Sequence, residues 1–189
     1  YVLTRAGSRE KFEALQERFG SGSDRLIPVE GDLRQPLLGL DEATIADLKG
    51  SIKHFCHFAA IYDLAASAEE QTKTNIDGTR HAVQLAEALA AGCFEHVSSI
   101  AAGGMYNGTF REDMFEEAEG LKDPYFRTKH DSEGLVRKQT AVPFRIYRPS
   151  MVVGHSKTGE IDKIDGPYYL CTLIKKIRET LPQWMPTLG

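Results

Sequence analysis

Cysteine is scarce in this chain. Its 189 residues hold three, Cys56, Cys93 and Cys171, an odd number with no CxxC pair. That excludes a disulfide framework and points to a reducing, cytoplasmic setting. Basic residues are the minority: 23 Lys and Arg against 27 Asp and Glu give 23 − 27 = −4. A duplex nucleic-acid binder needs a strong basic footprint, so that class is excluded. No apolar run nears the roughly 18 residues that cross a bilayer. Internal repeats and low-complexity segments are absent too. What remains is the ordinary balance of a globular domain, 41% hydrophobic and 26% charged. No Met precedes Tyr1-Val2-Leu3-Thr4, which already reads as a buried strand. The numbered chain is expected to begin inside a fold.

Short apolar runs alternate with longer amphipathic stretches. Strands are expected over 1–4, 26–30, 54–60, 93–100 and 144–148. Helices are expected after Ser8 (Phe12, Leu15 and Phe19 recur at helical spacing), near 41–48, over 69–89, over 124–139 with Pro124 at the start, and over 168–180. This alternation predicts an α/β fold, a doubly wound parallel sheet with helices on both faces. Ligands in such sheets sit at the carboxyl ends of the strands. A loop of about twenty residues, 101–123, interrupts the pattern, and loops that long in compact domains are usually functional.

The strand ends carry candidate chemistry. Tyr125 and Lys129 lie four apart on one predicted helix, so both project from one face. A nearby ammonium favours the phenolate and lowers a tyrosine pKa, which suits proton exchange with a carbonyl or alcohol oxygen. Ser98 and Ser99 end the preceding strand, where a hydroxyl can reach the same substrate oxygen. His54, Cys56 and His57 cluster, but on a strand 54 and 56 face away from 57. A structural role is expected there, with no metal. His155, Asp63, Glu112 and Asp113 read as loop or cap residues.

These motifs together resemble an extended short-chain dehydrogenase/reductase. The resemblance rests on Gly31-Asp32-Leu33, His57-Phe58-Ala59-Ala60, Asn75 within Thr74-Asn75-Ile76-Asp77-Gly78-Thr79, Val97-Ser98-Ser99, Tyr125-(x)3-Lys129 and Arg148-Pro149-Ser150-Met151-Val152-Val153-Gly154. It implies a Rossmann-like NAD(P)-binding fold with Tyr125 as general acid, Lys129 lowering its pKa and holding the ribose, Ser99 polarising the carbonyl and Asn75 steadying the site. Asp32 and Leu33 would contact adenine. Ala59, Ala60, Ser98, Pro149, Ser150 and Val152 would line the rest of the cofactor. Arg5 follows the first strand, where an NAD enzyme usually offers an acid to the ribose. A guanidinium there suits a 2′-phosphate, so NADPH is the expected cofactor. The family's Gly-rich fingerprint is absent, and is expected to lie upstream with the central strand, leaving a gap in the sheet.

A narrower resemblance points to thioester reductases. Gly31 to Leu40 resembles a segment of fatty acyl-CoA reductases and of the reductase domains of carboxylic acid reductases, and Phe110-Arg111-Glu112-Asp113, Pro124 to His130 and Val153 to Asp162 are similar to bacterial fatty acyl-CoA reductases. The resemblance implies hydride transfer to an acyl thioester, acyl-CoA foremost, giving an aldehyde and possible onward reduction to an alcohol. The expected organisation is a cofactor domain over 1–165 and the start of a substrate region over 166–189. Tyr168, Tyr169, Leu170, Leu173, Ile174, Ile177, Trp184 and Met185 could face an acyl chain or form core. Two further readings stay open: an extended reductase or epimerase acting on a sugar nucleotide or hydroxysteroid, and a non-catalytic dinucleotide-binding protein.

Overall fold

The computed structural model describes residues 1–59, 69, 72–139, 141–161 and 167–180. Ala60, Asp63, Trp184, Met185 and the division expected at 165/166 lie outside the described residues. The chain forms two compact units, Tyr1–Pro149 and Ser150–Gly189.

In the first unit, strand β1 (Val2–Thr4) leads to helix α1 (Arg9–Phe19). Of the periodic apolar residues on α1, Phe12 is the buried one. Ser8 occupies the N-cap position without a side-chain cap bond. Gly20 ends the helix with a positive φ of 53°, which glycine adopts without strain. Strand β2 (Pro28–Glu30) follows, then α2 (Glu42–Leu48). Asp41 caps α2 by accepting a hydrogen bond from Thr44 N at 2.7 Å. Strand β3 (Phe55–His57), helix α3 (Gly78–Ala88), strand β4 (Phe94–Val97), helix α4 (Pro124–Lys138) and strand β5 (Phe144–Tyr147) complete the unit.

Every strand pairing is parallel, as the near-continuous apolar strands require. β1 pairs with β2, while the second sheet runs β3-β4-β5. Among the described residues β1 and β3 are not paired. A cavity of about 370 Å³ is lined by Tyr1 and Leu3 from the β1 side and by Phe55 and Cys56 of β3. The core packs one face of the second sheet: Phe94 lies under Ala82, Leu85, Ala86, Leu89 and Val136, with Leu38, Leu48 and Val142 around them. Burying each of the larger of these side chains contributes roughly 1.5–3 kcal/mol.

The helix expected over 69–89 is not uniform. Thr72–Asp77 forms a π-helical turn and regular α3 begins only at Gly78. Hydrophobic periodicity cannot register one inserted residue, and such turns concentrate at functional sites. The second unit contains α5 (Pro167–Thr180), with Gly154 N donating to the Tyr168 hydroxyl at 2.6 Å. Tyr169, Leu170, Leu173, Ile174 and Ile177 on α5 are exposed. No described helix is long and apolar enough to cross a membrane.

Candidate active site

Helix α4 carries Tyr125 and Lys129. Asp123 caps it, accepting from Tyr125 N at 2.8 Å and Phe126 N at 3.3 Å, and Pro124 fills the first turn where no N–H is needed. Tyr125 therefore sits in the first turn, at the positive end of the helix dipole. Residues 125, 129, 133 and 137 stack along one face. Lys129 is buried and its Nζ donates to the Val97 carbonyl at the end of β4, 3.4 Å away. Burial draws this ammonium below the usual lysine range. One turn on, Glu133 is fully buried and accepts from Ser98 Oγ at 2.7 Å.

That contact separates the two serines. Ser98 is buried and its hydroxyl is spent on Glu133. Its side chain turns inward to helix α4. Ser99 points the other way along the pleat and is half-buried. Its Oγ accepts from Ala101 N at 3.1 Å, capping the short 3-10 turn Ile100–Gly103. A hydroxyl that accepts one bond keeps its hydrogen to donate, and donates it more strongly. Pro149 lies beside it, its carbonyl accepting from Ile100 N at 3.2 Å.

Asn75 sits in the π turn and is fully buried. Its Nδ2 donates to Thr128 Oγ1 at 3.2 Å, and Thr128 Oγ1 donates to the Tyr125 carbonyl at 3.1 Å. The turn before α3 is thus tied to the first turn of α4. Ser99, Tyr125, Lys129 and Asn75 are brought to one end of β4 by these contacts.

A second feature lies at the carboxyl ends of β1 and β2. A cavity of about 730 Å³ is lined by Arg5, Gly31, Asp32 and Arg34, among others. At Gly31 a Cβ would meet Leu38 O at 2.5 Å, so only glycine lets the chain pass here. Arg34 Nη2 and Nε bind both Asp32 oxygens, and this guanidinium holds the Asp32 carboxyl down at about 2. Two guanidinium groups in one such cavity fit the phosphates of a dinucleotide. Motif reading passes over Arg34; its spacing from Asp32 in Gly-Asp-x-Arg is the signal that marks it. Leu33 does not line the cavity. Its side chain packs against the core beside Gly78. β2 has ended at Glu30 by this point, and Leu33 lies in a turn closed by Gln35 N donating to the Asp32 carbonyl at 3.0 Å. Ala59 is exposed just after β3. Ser150 and Val152 are exposed in the second unit.

The long loop is fastened by a residue that motif reading also misses. Arg148 Nε and Nη2 bind Glu133 at 3.1 and 2.6 Å, Nη2 also reaches Met114 O at 2.7 Å, and Nη1 reaches Arg111 O at 3.1 Å. Its guanidinium covers the Phe110 ring at 4.9 Å. Phe115 stacks on His130 at 4.2 Å. Gly104 closes the loop's base with φ +64°; a Cβ there would lie 2.0 Å from Glu119 O.

The histidine cluster divides as the strand period requires. His57 is buried and His54 exposed. His54 Nδ1 meets Glu95 at 2.8 Å, and Arg145 and Tyr147 hold the same carboxylate.

With this geometry in place, comparison with known proteins is informative. A model of an NAD-binding family, described as Male sterility protein, matches residues 3–188. The chain belongs to the male sterility protein family. A linear gramicidin synthase polypeptide of Brevibacillus parabrevis is 31% identical over 148 residues, 75% of this chain and 3% of that protein. A Drosophila melanogaster protein named for fatty acyl-CoA reductase, CG8306, is 28% identical over 170 residues, 76% of this chain and 33% of that protein. The terminal R domain from the myxalamid PKS-NRPS biosynthetic pathway superposes with a TM-score of 0.75 at 27% identity, over 95% of this chain and 48% of that chain. The chain spans less than half of each of these relatives. As a member of the male sterility family it has the Rossmann-like, NAD(P)-binding α/β fold of the extended short-chain reductases.

Proposed function

We propose that this member of the male sterility family is an NADPH-dependent reductase of acyl thioesters, with fatty acyl-CoA as its substrate and a fatty aldehyde as first product. The observation that carries the reading is Lys129 Nζ docked on Val97 O, one helical turn from Tyr125 and two residues from Ser99. The Drosophila relative's name supports acyl-CoA as the thioester. The gramicidin synthase and myxalamid relatives favour a thioester held on an assembly-line carrier, which is the second reading of the substrate.

The 730 Å³ cavity and its two guanidinium groups suit the adenosine phosphate end of a dinucleotide. Arg5, Asp32, Arg34, Ala59, Ala60 and Pro149 would hold it. When bound, NADPH supplies the hydride. Ser99 donates a hydrogen bond to the thioester oxygen and stabilises negative charge as it develops. Tyr125 donates the phenol proton to that oxygen, and Lys129 holds the resulting phenolate. Collapse of the hemithioacetal returns the proton to Tyr125 and expels a thiolate, which takes a proton from water, leaving the aldehyde.

The test uses the full-length protein with NADPH and either long-chain acyl-CoA or a carrier-bound acyl thioester. NADPH oxidation and free thiol should rise together with acyl-CoA. Thiol release from the carrier substrate alone would transfer the proposal to assembly-line chemistry. NADPH oxidation without thiol release would exclude thioester reduction.

A further inference from the structure

Two threonine hydroxyls link strand β3 to the reacting helix. Thr79 Oγ1 donates to the Asn75 carbonyl at 2.7 Å. A hydroxyl has one hydrogen, so Thr79 can only accept from His57 Nε2, 2.9 Å away. His57 is thereby held with its proton on Nε2. On the far side, Asn75 Nδ2 donates to Thr128 Oγ1, which donates to the Tyr125 carbonyl. Each hydroxyl takes one bond and passes one on. The sequence of contacts runs His57, Thr79, Asn75, Thr128, Tyr125. Asn75, Thr79 and Thr128 are essentially inaccessible to water, and His57 is buried. Water cannot replace a lost member, so each bond directs the next.

We propose that His57 and Thr79 are positioning residues that set the π turn carrying Asn75, and through Asn75 and Thr128 the placement of Tyr125 beside Lys129. The inference rests on the reductase reading for its effect on turnover, but not for the contact itself. A π turn holds one residue more than a regular turn, and the Thr79 hydroxyl engages the carbonyl of Asn75 within it. Removing the hydroxyl takes one hydrogen bond from that carbonyl and the acceptor from His57 Nε2, and Asn75 moves relative to Thr128. Displacements of about 1 Å at this distance from a reacting group can cost up to about a hundredfold in rate.

Thr79→Val keeps the shape and removes the hydroxyl; Thr79→Ser keeps the hydroxyl and removes a methyl. In the full-length enzyme, Thr79→Val should lower kcat about tenfold or more while KM for NADPH stays within about twofold. Thr79→Ser should recover most of kcat. A role confined to packing would give the opposite order, with valine the better replacement. A second measurement does not need the substrate: the phenol titration of Tyr125, taken as the ultraviolet difference from Tyr125→Phe, should move upward in Thr79→Val and return in Thr79→Ser. If no thioester is reduced by the parent enzyme but the titration shifts, the substrate reading falls and the positioning role stands. An unchanged titration, or valine equal to serine in kcat, overturns the positioning role. Should Thr79→Val fail to fold, Thr128→Val probes the next link with the same two readouts, and the same results support or overturn it.

Discussion

The Ser98 hydroxyl donates to Glu133 across 2.7 Å of buried space, and that bond decides which of two adjacent serines is available for chemistry. Ser98 locks β4 to α4. Ser99, one residue on, is left at the rim with its Oγ oriented by Ala101 N. The same helix face that holds Ser98 presents Lys129 and Tyr125 one and two turns earlier, so structure and chemistry share one docked surface.

Tyr125→Phe should lower kcat by about 10²–10⁴ while leaving dinucleotide affinity within about twofold, because only proton donation is removed. Stopped-flow turnover and fluorescence titration of NADPH check the two halves. Ser98→Ala should instead act mainly on stability, since Glu133 loses one of its donors.

Glu133 and Arg148 form a buried pair at the root of the long loop. Arg148→Met leaves the Glu133 carboxylate with a lost partner and cuts two loop carbonyls loose. The expected loss is about 1–3 kcal/mol in urea unfolding, because Arg137 and Ser98 still hold the carboxylate. Amide exchange over 104–123 should accelerate ahead of the rest of the unit. Equal protection in the variant would show that the loop is held by something else.

The stacked pair His57 and His96 should make the fold acid-sensitive. Their rings lie 5.6 Å apart. Burial is the main cause that holds His57 down to about 4 and His96 down to about 3, and the nearby Lys129 charge adds to it. The unfolded chain takes up protons near the ordinary value of about 6.5 while the folded one does not. Stability is therefore complete above about pH 6.5 and falls as pH drops towards 4 and 3. Neither ring nitrogen of His96 has a hydrogen-bond partner among the described residues. His96→Phe should flatten this loss. Urea midpoints at about pH 7.5 and about pH 5, either side of the ordinary histidine value, should differ less in the variant than in the parent.

Arg5→Ala should raise KM for NADPH far more than KM for NADH, narrowing the preference about tenfold or more, because a guanidinium contributes to a 2′-phosphate and not to a 2′-hydroxyl. Steady-state kcat/KM with both cofactors checks it. A parent enzyme that already prefers NADH would remove Arg5 from this role.

How far the sequence could be read follows from what each signal encodes. The five strands and the helices at Arg9, Glu42, Pro124 and Pro167 were legible because alternation, caps and Pro-start signals are local. The α4 pair was legible because a spacing of four puts both residues on one face. That Ser98 and Ser99 face opposite ways is legible from strand alternation; that Ser98 is spent on Glu133 is not, because the partner is 35 residues away. Arg148 reads as part of a strand-end motif, while its work on Met114 and Arg111 is visible only in three dimensions. That the Leu33 side chain packs beside Gly78 is not legible either, because that partner is distant in sequence. The π turn at Asn75 leaves no mark on a hydrophobic period.

The most direct test of the central claim follows the hydride itself. Full-length protein is given long-chain acyl-CoA and NADPH carrying deuterium at the transferable position. The account predicts one deuterium at the former thioester carbon of the aldehyde for every CoA thiol released, with both lost in Tyr125→Phe. Deuterium leaving NADPH without appearing at that carbon, or aldehyde formed at an undiminished rate by Tyr125→Phe, would contradict it.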